Sequence, residues 1–121
     1  SMLIQSVLNI TRNAVSAITD DTITDGKIIF RTRAVRKCAI GTITYPLATR
    51  VDIIDNGVGI PDDIKEQIFF PMVTGRADGT GLGLSIAQSL IHQHKGLIEC
   101  TSDSSSTTFT LLLPLENGHE Q

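Results

Sequence analysis

Apolar residues recur at three- and four-residue spacing through Leu3, Ile4, Val7, Leu8, Ala14, Val15 and Ile18, which predicts an amphipathic helix over roughly 3–19. Gln5, Asn9 and Asn13 share its other face. After a polar turn over 20–26, strand character appears at 27–33 and again at 50–54. The Thr-rich stretch 39–49 between them, with Gly41 and Pro46, predicts a hairpin whose arms extend beyond the core. Pro61, with Asp62 and Asp63 behind it, suits the first turn of a short helix over about 61–68. Residues 69–80 hold apolar anchors at one end and glycines at the other, the make-up of a mobile loop. It runs into a predicted helix of about 82–95, with Leu84, Ala87, Leu90 and Ile91 at helical spacing and its end marked by Gly96. Strands over 97–101 and 107–113, joined by the polar turn 102–106, end at Pro114, and the polar residues 116–121 form a tail.

Three polar features interrupt this pattern. The first is Asp55-Asn56-Gly57-Val58-Gly59-Ile60, directly after the apolar run Val51, Ile53, Ile54. A carboxylate at a buried strand end can accept hydrogen bonds from a planar amine such as adenine, and glycines let that partner approach the backbone. A polar strand end running into a glycine turn is the structural alternative. The second is Asn9 and Asn13, four apart on a helix, able to reach a common ion or ligand or to form a solvated face. The third is Gly79-Thr80-Gly81-Leu82-Gly83-Leu84 at a helix entry, where free amides and the helix dipole favour an anion. Neither a dinucleotide-fold glycine pattern nor a Gly-x-x-x-x-Gly-Lys phosphate loop is present.

Composition narrows the partners. The 121 residues suit one domain, and 40% are apolar, enough for a single core. The net charge of −3 and the lack of a basic run argue against a nucleic-acid partner. Cys38 and Cys100 lie far apart, without metal or disulfide spacing, which suits a reduced, cytoplasmic setting. No apolar run approaches the roughly 20 residues of a membrane span, so no membrane partner is expected. The opening Ser1-Met2, followed at once by a helical pattern, reads as a boundary inside a larger protein.

The order of these motifs, with Phe69-Phe70-Pro71 and the closing Thr107-Thr108-Phe109, resembles the four boxes of the ATP-binding catalytic domain of bacterial sensor histidine kinases. The segment Phe70-Pro71-Met72-Val73-Thr74-Gly75-Arg76 and the long insert before Val51 are most similar to nitrogen-regulation kinases of the NtrB type. The resemblance implies an α+β fold, a two-layer α/β sandwich with helices on one face of a mixed, mostly antiparallel sheet. It implies a catalytic domain over 1–115, lacking the strand that usually precedes the first helix, and a tail over 116–121.

By position, it implies that Asp55 accepts the adenine amine, supported by Thr107, with Gly57, Gly59 and Ile60 shaping the base pocket. Asn13, helped by Asn9, would ligate Mg2+ on the phosphates of ATP. The stretch Gly79, Thr80, Gly81, Leu82, Gly83 and Leu84 would hold those phosphates. Residues 69–79 would form a lid, with Phe69 and Met72 available to a partner domain and Arg76 where the family often has lysine. Asn9 stands where ATP-hydrolysing relatives carry a glutamate that activates water, and an amide cannot take that proton. The resemblance therefore implies transfer of the γ-phosphate to a histidine on a dimerisation domain, for which no His-Glu segment occurs in this chain. Implied partners are that domain of the same protein, a response regulator of the NtrC type and a PII-type signal protein. Two other readings remain at this point: an interaction module with an empty nucleotide site, and an anti-sigma-type serine kinase of the same fold. Ser16 replaces the basic residue often found three places after the metal asparagine, and Ser104-Ser105-Ser106 replaces the glycine of the last box.

Overall fold

The computed structural model of the chain describes residues 2–19, 23–60, 83–103 and 105–115. Its elements are α1 (Met2–Ile18), β1 (Ile28–Ile40), β2 (Ile43–Asp55), α2 (Gly83–Gln93), β3 (Leu97–Ser102) and β4 (Thr107–Pro114). The strands form one sheet in the order β1-β2-β4-β3. All three pairings among the described residues are antiparallel, so no parallel pair gives the mixed character expected. Both helices cover one face, where Ile10, Leu84, Ala87 and Ile91 pack on Val51, Ile53, Ile98, Phe109 and Leu111. No described helix is long and apolar enough to cross a membrane.

The rotation of α1 differs from the periodicity reading. Its buried stripe is Ser6, Asn9, Ile10, Ala14 and Ala17, whereas Ile4, Leu8 and Val15 are exposed. Apolar residues occupy more than one face of this helix, so spacing alone cannot say which face turns inward. Ala14 and Ala17 are buried, and the close approach of Ala17 to Gly57 in the loop after β2 decides it. The helix predicted over 61–68 and the loop over 69–80 lie outside the described residues.

The separate strand signals at 27–33 and 50–54 belong to two continuous strands of 13 residues each, joined at Gly41 and Thr42. Gly41 takes φ +62°, a conformation that a side chain would strain. Part-way along, Lys37 also has a positive φ, of 53°, beside Pro46, which has no amide to give the ladder. Across this point Val35 and Cys38, and opposite them Ala48 and Tyr45, join one cluster although the members of each pair are three positions apart. Regular pleating alternates faces every residue, so the hairpin rolls here. Its outer end, with Cys38, Ile40 and Tyr45, packs with Leu97 and Leu112 on the helix-free face of the sheet.

That face also buries Asp52, which accepts a hydrogen bond from Thr110 Oγ1 at 2.7 Å and from Arg50 Nε at 3.2 Å. Burial alone would raise the Asp52 pKa. The bonds from Thr110 and Arg50, with the charges of Arg50 and Arg31, outweigh it and hold the carboxyl below its ordinary 3.8. A depressed folded-state pKa contributes stability above the unfolded value and loses it as pH falls through the folded one. Thr110→Val is expected to cost about 1.5 kcal/mol. It should also move acid unfolding to higher pH in melts recorded against pH; an unchanged acid midpoint would contradict this linkage.

The end of α2 is marked differently from the expectation. Gly96 N bonds to Ile91 O at 3.0 Å and Lys95 N to His92 O at 3.0 Å, the paired bonds of a Schellman motif. The left-handed residue is Lys95, at φ 63°. Gly96 is needed for another reason: a Cβ there would sit 2.6 Å from Leu112 O.

Candidate functional site

Asp55 ends β2 on the helix-covered face and is 2% exposed. Its Oδ1 accepts the amide of Gly57 at 2.9 Å, which turns the chain sharply away from the strand. The loop that follows is wedged between two elements. Val58 N donates to Ala17 O at 3.3 Å, and a Cβ on Gly57 would lie 2.5 Å from that same carbonyl. On the other side, a Cβ on Gly59 would collide with Asp103 O of the β3–β4 turn. Both glycines are thus fixed by backbone approach. Gly57→Ala is expected to lower stability by about 1–3 kcal/mol through overpacking, read as a fall in melting temperature of the order of 5–10 °C. An unchanged melting temperature would contradict the contact with α1.

Thr107 lies directly across the ladder from Asp55 and is 1% exposed. Its hydroxyl is 2.9 Å from Ser102 Oγ, which in turn accepts the amide of Ile60 at 2.9 Å. Ser102 therefore ties the closing strand to the glycine loop. The sequence reading placed Ser102 in a polar turn and missed it, since only the β3–β4 register brings it beside Thr107. Asn56 was missed likewise. Its side chain accepts Lys27 N and donates to Asp25 O, both at 2.7 Å, and so anchors the segment entering β1. Of the serines that replace the glycine of the last box, Ser105 and Ser106 are tied to Asp103, whose Oδ1 accepts Ser105 N at 2.8 Å and Ser106 N at 2.9 Å.

Asn9, Asn13 and Ala17 follow one another at four-residue steps, so a single stripe of α1 runs from the asparagines to the Gly57 contact. Asn13 is half-buried. Asn9 is 6% exposed, and its Oδ1 accepts a bond from Gln5 Nε2 at 3.2 Å. Its Nδ2 is buried without a partner among the described residues. A buried unpaired donor costs about 1–3 kcal/mol. The orphan amide suits a ligand oxygen at this place, and Asn13 suits the oxygen-liking magnesium ion. Arg12, three residues after Asn9, is exposed.

The structure thus brings Asp55, Gly57, Gly59, Ile60 and Thr107 together, with Asn9 and Asn13 on the adjoining helix. Arg76, Gly79, Thr80, Gly81 and Leu82 lie outside the described residues. Gly83 opens α2, whose first turn holds no acidic residue, and Leu84 turns its side chain into the core. Only the Leu84 backbone is then available to a phosphate. The described residues hold no cluster of three His, Cys, Asp or Glu able to bind a metal.

The family model of histidine kinase-, DNA gyrase B- and HSP90-like ATPases matches residues 1–117. The chain belongs to this family. It is 48% identical over 111 residues to the sensory histidine kinase/phosphatase NtrB of Klebsiella oxytoca, covering 92% of the chain and 31% of that protein. It is 38% identical over 122 residues to the NtrB of Rhizobium meliloti strain 1021, covering 96% of the chain and 31% of the relative. The chain thus spans about a third of the length of these curated relatives. Among solved structures it is similar to the nucleotide-free catalytic domain of histidine kinase ThkA, with a TM-score of 0.72 and 30% identity over 93% of this chain and 66% of that one. Full-length ShkA, solved in complex with AMPPNP, shares the fold at a TM-score of 0.73 and 24% identity, over 93% of this chain and 21% of that one. The α+β sandwich expected from the sequence is the fold of this ATPase family.

Proposed function

We propose that the chain binds Mg-ATP and donates its γ-phosphate to a histidine on a separate dimerisation domain, within a cytoplasmic two-component nitrogen-regulation pathway. The observation that supports this most is the buried Asp55 carboxylate, seated opposite Thr107 in a glycine loop wedged between α1 and the β3–β4 turn. Asp55 accepts the adenine amine, and Thr107, held by Ser102, supports it. Magnesium would supply positive charge to offset that of the phosphates. Asn13 would hold it through its amide oxygen. Asn9, its own oxygen turned to Gln5, presents Nδ2 as a donor to a phosphate oxygen. The amides of 79–84 hold the remaining phosphate charge, and Arg76 joins them from the lid. With an amide at position 9, no side chain there removes a proton from water, so the phosphoryl group waits for the imidazole of the partner domain. Transfer breaks the bond between the γ-phosphorus and its bridging oxygen, forms a nitrogen–phosphorus bond and releases ADP.

The likeness to NtrB proteins supports the pathway reading, and the partners we infer with it are a response regulator of the NtrC type and a PII-type signal protein. Incubating the chain with labelled ATP, magnesium and a separately supplied histidine-bearing dimerisation domain tests the activity. Acid-labile label on that domain is the expected result. Label on serine, or release of inorganic phosphate without transfer, would replace this function with another.

A further inference from the structure

The β1–β2 hairpin, Ile28–Asp55, carries five of the ten Lys and Arg but two of the thirteen Asp and Glu. Its net charge is +3, which leaves the rest of the chain at −6. The two acids, Asp52 and Asp55, are both buried, whereas Arg31, Arg33, Arg36 and Lys37 are exposed and Arg50 is half-exposed. Every solvent-facing charge on the hairpin is therefore positive. The register sorts them: Arg31 stands opposite Asp52, Arg33 opposite Arg50 and Ile29 opposite Ile54. Asp52 and Arg50 alternate with the core residues Val51 and Ile53, so all six of these side chains lie on the face that neither described helix covers.

This arrangement costs stability in isolation. Arg33 faces a like charge across the ladder. The nearby carboxylate, Asp52, is already bonded to Arg50 and Thr110, and this bonding holds Arg50 along the face. Ile29, 50% exposed, leaves an apolar spot beside the arginines. The rolled outer end of the hairpin, packed on Leu97 and Leu112, forms a wall at one side.

We propose that the helix-free face of β1 and β2 docks an acidic, amphipathic segment of a partner protein, whose carboxylates pair with Arg31, Arg33 and Arg50 and whose apolar side chains cover Ile29 and Ile54. A protein segment is favoured over nucleic acid because the face lacks a stacking platform. Phe30 lies on the opposite face by alternation, and Tyr45 is half-buried in the hairpin cluster. The surface is independent of the nucleotide site, since Asp55 and Thr107 occupy the other face of the sheet.

The test uses the full chain with a labelled helical peptide bearing Glu along one face and Leu along the other, the same peptide with Lys for Glu, and a single-stranded oligonucleotide. The Glu peptide is expected to bind, more weakly as salt rises. Arg33→Glu should weaken it at least about tenfold, whereas Lys95→Glu, the same charge change at the end of α2, should alter it less than about twofold. Arg33→Glu should also raise the melting temperature by relieving the repulsion with Arg50. Equal weakening by both variants, equal binding of both peptides, preferential binding of the oligonucleotide or no binding of the Glu peptide would overturn the proposal. A lowered melting temperature for Arg33→Glu would do so too, by making the arginine a folding contact.

Discussion

Asp55→Ala is expected to weaken binding of an ATP analogue by roughly 10- to 150-fold, the equivalent of losing one charge-assisted hydrogen bond worth about 1.5–3 kcal/mol. Selectivity should disappear with affinity. The carboxylate prefers an adenine amine to the carbonyl that guanine presents at the same place, and alanine prefers neither. The substitution also removes the acceptor of the Gly57 amide, so the loop loses its turn as well as its specificity group. Comparing ATP and GTP affinities before and after the change separates the two effects. Loosening alone would lower both affinities alike, whereas loss of the adenine acceptor brings the ATP value down toward that for GTP. If the parent chain already binds ATP and GTP equally, Asp55 is not the base-reading group.

Asn13→Asp is expected to reduce phosphoryl transfer to the supplied dimerisation domain by at least about a hundredfold, the scale seen when one preorganised electrostatic contact is lost. The change keeps the side chain's size and its metal-liking oxygen but adds a negative charge where phosphate charge must be held. Binding of Mg-ATP should be perturbed as well. Single-turnover transfer and nucleotide affinity, measured on the same variant, show how much of the loss belongs to each. Undiminished transfer would remove Asn13 from the metal site.

The glycine loop after Asp55 was legible in the sequence because its parts are contiguous. An acid at a strand end followed by two glycines can be read without knowing what packs around it, and Thr107 announces itself at the start of another strand. The residues that were missed act through pairing. Ser102 gains its role only when β3 and β4 align, and Asn56 only when the segment before β1 passes within reach. The face of α1 was misjudged because Ile4, Leu8 and Val15 look like core by spacing, while the contact of Ala17 with Gly57 turns the helix so that Asn9 is buried. The roll of the hairpin depends on Lys37 and Pro46 facing each other across two strands, which no local pattern states. The basic surface was hidden for the same reason. Arg31, Arg33 and Arg50 form no run in the chain, and their clustering follows from the register.

The central claim is that the Asp55 loop and the Asn9–Asn13 stripe form one Mg-ATP site. Titration calorimetry of the chain with a non-hydrolysable ATP analogue, with and without magnesium and with GTP as control, tests it most directly. Binding that needs magnesium and prefers adenine is the predicted result. A chain that melts cooperatively yet binds no nucleotide under either condition would contradict it.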